Sequence, residues 1–83
     1  MAIEANIKEF LAKNFLFSDE GFPYGDDTSF LQEGIIDSLG VMELVTFVQS
    51  TYHITVDPLE VTPDHFDSVS KLAAFVRSKA PQQ

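Results

Sequence analysis

Cysteine and tryptophan are absent from this chain of 83 residues, and basic residues are few. Without cysteine the chain can form no disulfide, no thiolate metal site and no cysteine nucleophile. The two histidines, His53 and His65, lack the His-x-x-x-His spacing of a metal site, so we expect no bound metal. Any thiol chemistry would have to come from another molecule.

Positive charge is also scarce. Five lysine and arginine residues stand against 13 acidic residues, which gives a formal net charge of −8. Such a surface repels nucleic acid and anionic membranes, whereas a partner with a basic patch would be attracted to it. The sequence shows no signal-peptide pattern and no apolar run of membrane-spanning length, so we expect a cytoplasmic location.

The length favours one domain over residues 1–83, which we expect to be monomeric. Four apolar-periodic or capped segments indicate helices. The first covers residues 3–17, where Leu16 and Phe17 are predicted to fill the point at which the chain turns away. The second runs from Ser38 to about Tyr52. A short third helix starts at Thr62-Pro63, and the last covers residues 68 to about 79.

A long connection separates the first two helices and is rich in glycine, proline and aspartate. Its acidic residues lack the alternating spacing of a calcium loop, so we interpret Asp19, Glu20, Asp26 and Asp27 as solvated. We expect one short helical turn near residues 28–32. Buried side chains should pin the connection, with six candidates: Phe22, Tyr24, Phe30, Leu31, Ile35 and Ile36. The predicted fold is all-α, a small antiparallel bundle of three longer helices and a short third helix.

The second helix begins at Asp37-Ser38. Asp37 is a favoured N-cap, because its carboxylate can accept hydrogen bonds from the first turn and lies at the positive end of the helix dipole. Ser38 would lie in the first turn, among backbone N–H groups that favour an anion. This is a suitable position for a phosphate group.

The residues Gly34-Ile35-Ile36-Asp37-Ser38-Leu39, followed by Glu43-Leu44-Val45, resemble the attachment motif of acyl carrier proteins. The segment from Pro63 to Val76 also follows the pattern of that family. The resemblance implies that Ser38 is modified with 4′-phosphopantetheine, with Asp37 presenting the serine and Leu39 packing beneath the arm. It further implies that acyl groups are held as thioesters, and that a longer acyl tail can retreat between the helices.

The chain contains its own control for this motif. Asp67-Ser68 also precedes an apolar-periodic run, but no family motif surrounds it, so we interpret Ser68 as a helix cap. A Ser-His-Asp hydrolase is not indicated, because the serine lacks a Gly-x-Ser-x-Gly turn and the chain is short for a walled substrate pocket. We therefore predict that the protein is not an enzyme.

The second helix departs from the family pattern in its charge. Gly40 stands where fatty-acid carriers usually have an acidic residue, and Glu43 is the only acid between residues 38 and 52. This favours a specialised carrier over a general fatty-acid carrier. Contacts with partner enzymes are expected at Val41, Met42 and Glu43, whereas Phe47 should pack inside the bundle.

The implied partners are a phosphopantetheinyl transferase, an acyl-activating ligase, and acyl-transferring or condensing enzymes. Two alternatives stay open. The chain could be an aminoacyl, peptidyl or D-alanyl carrier, which would share Ser38 and the fold. It could also be a small acidic helical interaction domain that never carries a group.

Overall fold

The computed structural model describes residues 3–17 and 21–79, with Ser38 described through its backbone alone. The described residues form helices and no strands, which confirms the predicted fold class. Residues 80–83 and the acidic residues Asp19 and Glu20 lie outside the described residues. The elements in order are α1 (Ile3–Leu11), a π-helical turn (Ala12–Leu16), α2 (Ser38–Tyr52), a 3-10 turn (Pro58–Glu60), α3 (Pro63–Phe66) and α4 (Val69–Lys79).

Contacts at both ends of α1 fix its direction relative to its neighbours. Near its start, the Asn6 amide donates a hydrogen bond to the Tyr52 hydroxyl at the end of α2 (3.2 Å). Beyond its other end, the Phe15 ring lies against Gly40 in the first turn of α2. Glu4, near the start of α1, also forms an ion pair with Arg77, near the end of α4. The first helix therefore runs antiparallel to both α2 and α4. We call the end with Phe15 and residues 34–42 the serine end, and the opposite end the far end.

The core lies between α1, α2 and α4, and the apolar residues on one face of α2 contribute to it. Leu44 and Val48 are completely buried, and Val45 is nearly so. Phe47 stacks on Phe10 with ring centroids 4.2 Å apart, which confirms that it packs inside the bundle. The other fully buried large side chains are Ile7, Leu11, Phe30, Leu72, Val69 and Val76.

The first helix ends in a way that apolar periodicity did not predict. Residues Ala12–Leu16 form a π-helical turn, in which each backbone hydrogen bond joins residues five apart instead of four. Phe17 then takes a left-handed conformation (φ 51°), and its N–H donates to the Ala12 carbonyl. The prediction that Phe17 fills the turning point is wrong, because its side chain is 82% exposed. Leu16 is partly buried against the core.

The long connection is held to the junction between α3 and α4. The backbone N–H of Phe30 donates to the Asp67 carbonyl (2.8 Å), and the N–H of Leu31 donates to the Asp67 carboxylate (3.0 Å). The Ser29 hydroxyl donates to the other carboxylate oxygen. Asp67 thus binds three successive residues of the connection.

Burial in this connection follows the prediction in most positions. Phe30, Ile35 and Ile36 are buried, and Phe22 and Tyr24 pack partly against the core. The prediction for Leu31 is wrong, since its side chain is 48% exposed. The reason is the turn that begins at Ser29, where the N–H of Glu33 donates to the Ser29 carbonyl (3.1 Å). Phe30 takes the inward position of this turn and Leu31 faces outward.

Ser68 has the structural role expected for it. Its hydroxyl accepts a hydrogen bond from the Lys71 N–H (3.1 Å) at the start of α4, and the residue is 2% exposed. Farther along, the Lys79 ammonium donates to both oxygens of Glu60. This ion pair, together with the N–H of Asp57, lowers the pKa of Glu60 below its ordinary value. The 3-10 turn is thereby fastened to the end of α4.

Candidate functional site

The first turn of α2 is capped as the sequence predicted. Asp37 has an extended backbone, and its carboxylate accepts a hydrogen bond from the N–H of Gly40 (2.8 Å). The N–H of Val41 donates to the Asp37 carbonyl (3.1 Å), which closes the first helical hydrogen bond. The capping carboxylate satisfies one of the N–H groups that a helix start leaves unpaired. Ser38 is therefore the first residue of a fixed, capped helix.

Three residues predicted to act with Ser38 share the exposed face of this turn. Leu39 is 79% exposed and Met42 is 57% exposed, and Glu43 is exposed beside them. Residues three and four apart on a helix are neighbours, so these side chains form one patch. Val41, for which partner contact is predicted, is half-buried and lines a cavity that Met42 also borders.

That cavity has a volume of about 220 Å³ and lies between the connection, α2 and α3. Ile36 and Val41, on either side of Ser38 in the sequence, form one wall, and Leu31 and Met42 are exposed at its edge. Its lining is mainly hydrocarbon: Phe30, Leu31, Ile36, Val41, Met42, Val61, Thr62, Pro63, Phe66 and Asp67. The Asp67 carboxylate is occupied by Ser29 and Leu31, so the cavity favours an apolar guest.

Gly40 is buried in the first turn of α2. Neighbouring side chains approach its backbone so closely that a larger residue would not fit there. A Cβ at position 40 would lie 2.9 Å from Phe15 Cε1 and 2.9 Å from Ile36 Cγ2. Apolar periodicity over residues 3–17 does not reveal this contact. The signal that could have found the contact was the glycine, which is costly in a helix unless something approaches its backbone closely.

The serine end is negatively charged. Asp37 and Glu43 are exposed on either side of Leu39, and Glu33 is exposed in the preceding turn. None of the four ion pairs found among the described residues involves these three acids. In the same described ranges, no group of three or more histidine, cysteine or acidic side chains could hold a metal ion.

The chain belongs to the family described as "Phosphopantetheine attachment site", whose pattern it matches over residues 7–76. The match confirms the resemblance drawn from the sequence. The family binds 4′-phosphopantetheine covalently, and its domains carry groups for partner enzymes and are not catalysts. The class of this protein is therefore a phosphopantetheine carrier, and its partners include a phosphopantetheinyl transferase.

One solved structure similar to this chain is described as "Crystal structure of FAD-dependent dehydrogenase". The superposition covers 83% of this chain and 96% of that chain, with a TM-score of 0.69 and 28% sequence identity. A search of curated proteins found no match. Within residues 3–17 and 21–79, no helix is long and apolar enough to cross a membrane.

Proposed function

We propose that this protein is an acyl carrier whose 4′-phosphopantetheine arm is attached to Ser38 and holds an apolar acyl group as a thioester. The observation that carries the proposal is the apolar cavity beside the capped turn that Ser38 begins. The carrier class follows from the family, and the structure supports the choice of serine and of cargo.

Attachment at Ser38 requires that its oxygen form a bond to phosphorus while the pyrophosphate bond of coenzyme A breaks. The adenosine bisphosphate half of coenzyme A then leaves, and the transferase takes the serine proton. Asp37 holds the turn by capping Gly40, so that Ser38 is offered at a fixed position. Once attached, the arm supplies the thiol that this cysteine-free chain lacks.

Partner enzymes would meet the patch of Leu39, Met42 and Glu43. A partner can cover its two exposed apolar side chains, and the carboxylates of Asp37 and Glu43 attract a partner with a basic surface. Leu39 is exposed beside Ser38, where it would contact the arm or the transferase. Val41 would contribute as part of the cavity wall, since it lines the cavity.

The size and chemistry of the cavity support an acyl cargo over an aminoacyl or D-alanyl cargo. An apolar cavity of about 150 Å³ is large enough to bind benzene, so about 220 Å³ would hold roughly six to nine carbon atoms. A charged amino group there would lose hydration against a mainly hydrocarbon lining, whose one carboxylate, Asp67, already accepts hydrogen bonds from Ser29 and Leu31. A medium-length or aromatic acyl group fits best.

The partner enzymes would include an acid-activating ligase, which forms the thioester, and acyl-transferring or condensing enzymes, which consume it. The likeness to a structure described as an FAD-dependent dehydrogenase adds a flavin-dependent dehydrogenase as a further class of partner to test. Such an enzyme would oxidise the tethered thioester and pass two electrons to its flavin. The test is whether a flavoenzyme is reduced by the loaded carrier but not by the free acyl thioester.

The attachment site is tested by mass spectrometry of the intact protein after incubation with coenzyme A, magnesium and a broad-specificity transferase. The wild type should gain one phosphopantetheine, and Ser38→Ala should gain none while keeping the melting temperature and helical circular dichroism of the wild type. Ser68→Ala is the matched control, since Ser68 is also preceded by aspartate and caps the start of a helix. It should be modified fully at a temperature where it stays folded.

Absence of labelling in the folded wild type, with a known carrier labelled in parallel, would contradict the carrier role. The alternative would then be an acidic interaction domain, for which Ser38→Ala would leave partner binding intact.

The cargo is tested on the modified protein loaded with an octanoyl or a D-alanyl group. Hydroxylamine should cleave the octanoyl thioester several-fold more slowly than the D-alanyl thioester, after correction by the same thioesters of free pantetheine. Equal corrected rates would show that the cavity does not hold the cargo.

A further inference from the structure

Phe15 lies against the turn of α2 that Ser38 begins, although it belongs to the end of the first helical segment. A Cβ on Gly40 would lie 2.9 Å from the Phe15 ring, closer than real Cβ contacts. The ring therefore rests on the backbone of Gly40 itself. Ile36, nearly completely buried, bounds the same space from the other side.

Phe15 lies within the π-helical turn Ala12–Leu16. Each residue of a π-helix advances by a smaller angle than in an α-helix, so the Phe15 side chain points in a different direction from the one that a regular α-helix would give it. Phe15 is in fact half-buried and contacts the Phe10 ring edge-on, with centroids 5.9 Å apart.

The residue under the ring is also the one that holds the cap. The Gly40 N–H donates to the Asp37 carboxylate, and this hydrogen bond ties the residue before Ser38 to the residue two after it. Any movement of Gly40 away from the ring would lengthen or bend this bond. The position of Ser38 therefore depends on a contact made by a different helix.

We propose that Phe15 is a positioning residue for modification of Ser38: its ring seats Gly40 and so fixes the first turn of α2 for the transferase. This inference rests on the proposed function, since it concerns attachment at Ser38. It also explains the missing acid at position 40. The ring occupies the space of that side chain, so a partner must recognise this carrier without an acid there.

The test measures kcat and KM for transfer of phosphopantetheine from coenzyme A to Phe15→Ala and Phe15→Leu. A mispositioned turn should lower kcat about tenfold in Phe15→Ala, with KM changed by no more than about twofold. Phe15→Leu keeps apolar bulk and should recover much of the rate. Phe15→Leu also provides the kinetic test if Phe15→Ala fails to fold.

Two controls separate positioning from simple loss of stability. Phe17→Ala removes an exposed phenylalanine from the same segment. Ile54→Val weakens the core just beyond the far end of α2. Both should keep the kcat of the wild type at a temperature where every variant is folded. A folded Phe15→Ala with wild-type kcat, or an Ile54→Val variant that loses as much kcat, would overturn the inference.

Amide hydrogen exchange of Gly40 gives a readout that needs no transferase. Its exchange should be faster in Phe15→Ala than in Phe17→Ala by about tenfold, because the hydrogen bond to Asp37 would open more often. Unchanged exchange would overturn the inference while leaving the proposed function in place. A wild-type protein that the transferase does not modify would instead contradict the proposed function.

Discussion

The two ends of the bundle are built from different interactions. At the far end, the guanidinium of Arg77 donates to both carboxylate oxygens of Glu4, at 2.6 and 2.8 Å, and Asn6 is bonded to Tyr52. At the serine end, residues 34–43 form no ion pair. The first turn of α2 is held there by one capping hydrogen bond and by the contact between Phe15 and Gly40.

The same contrast holds for the surface. Leu39 and Met42 leave apolar side chains exposed at the serine end, next to acids without ionic partners among the described residues. At the far end, Arg77 is paired with Glu4 and Lys79 with Glu60. The difference indicates that the serine end is held by packing and one cap, and that it leaves exposed apolar and acidic groups available to successive partners.

Gly40→Ala gives the sharpest test of this contrast. Alanine normally stabilises a helix by about 1 kcal/mol relative to glycine. Here the added methyl group would overlap Phe15 and Ile36, so we expect a net loss of roughly 1–3 kcal/mol, together with slower modification of Ser38. Urea unfolding measures the loss.

Gly25→Ala is the control for this variant, because a Cβ there meets only Thr28 at an ordinary 3.7 Å and should leave stability nearly unchanged. A stabilised Gly40→Ala protein would show that the turn relaxes easily and that the serine end is less tightly packed than its contacts indicate.

Asp37→Ala should have the next largest effect, because it removes the cap. We expect a loss of about 1 kcal/mol in the free energy of unfolding and a slower transfer of phosphopantetheine. Asp37→Asn separates the cap from the charge, since asparagine caps as well as aspartate. If Asp37→Ala is modified at the wild-type rate, Asp37 does not present Ser38.

Glu4→Gln at the far end should have the smallest effect and none on modification. Its hydrogen bonds with Arg77 lower the pKa of Glu4, so the folded protein binds that proton less tightly than the unfolded chain. The stabilisation is therefore present above the ordinary pKa of glutamate and is lost as the pH falls through the lowered pKa. Salt should weaken it, because the pair is partly exposed.

Thermal unfolding at neutral and acidic pH measures this effect: the variant should melt lower than the wild type near neutral pH and equally in acid. Glu9→Gln, whose partner Lys13 lies 3.6 Å away and is more exposed, should differ little from the wild type at either pH. A change in the modification rate of Glu4→Gln would show that the two ends are coupled.

Local signals in the sequence predicted the helices well. The Asp37 cap and the apolar spacing of α2 gave its bounds, 38–52, and Ser68 marked the start of α4. Both predictions rest on interactions within a few residues of the chain. The fold class and the carrier family followed from them and from the motif around Ser38.

Contacts between distant segments could not be predicted in the same way. α-Helical periodicity reveals neither the π-helical turn that carries Phe15 nor the contact between its ring and Gly40. Leu31 and Phe17 are exposed because of backbone turns that their own hydrophobicity does not reveal. The cavity likewise exists only once the connection is bound to Asp67.

The pairing of Glu4 with Arg77 has a practical consequence for handling the molecule. This pairing holds the beginning of α1 to the end of α4. A bead, dye or solid support joined next to the beginning of α1 or the end of α4 would therefore lie at the far end of the bundle. The length of α1 separates that end from Ser38. An immobilised array of this protein would therefore display its attachment serines outward, toward enzymes supplied in solution.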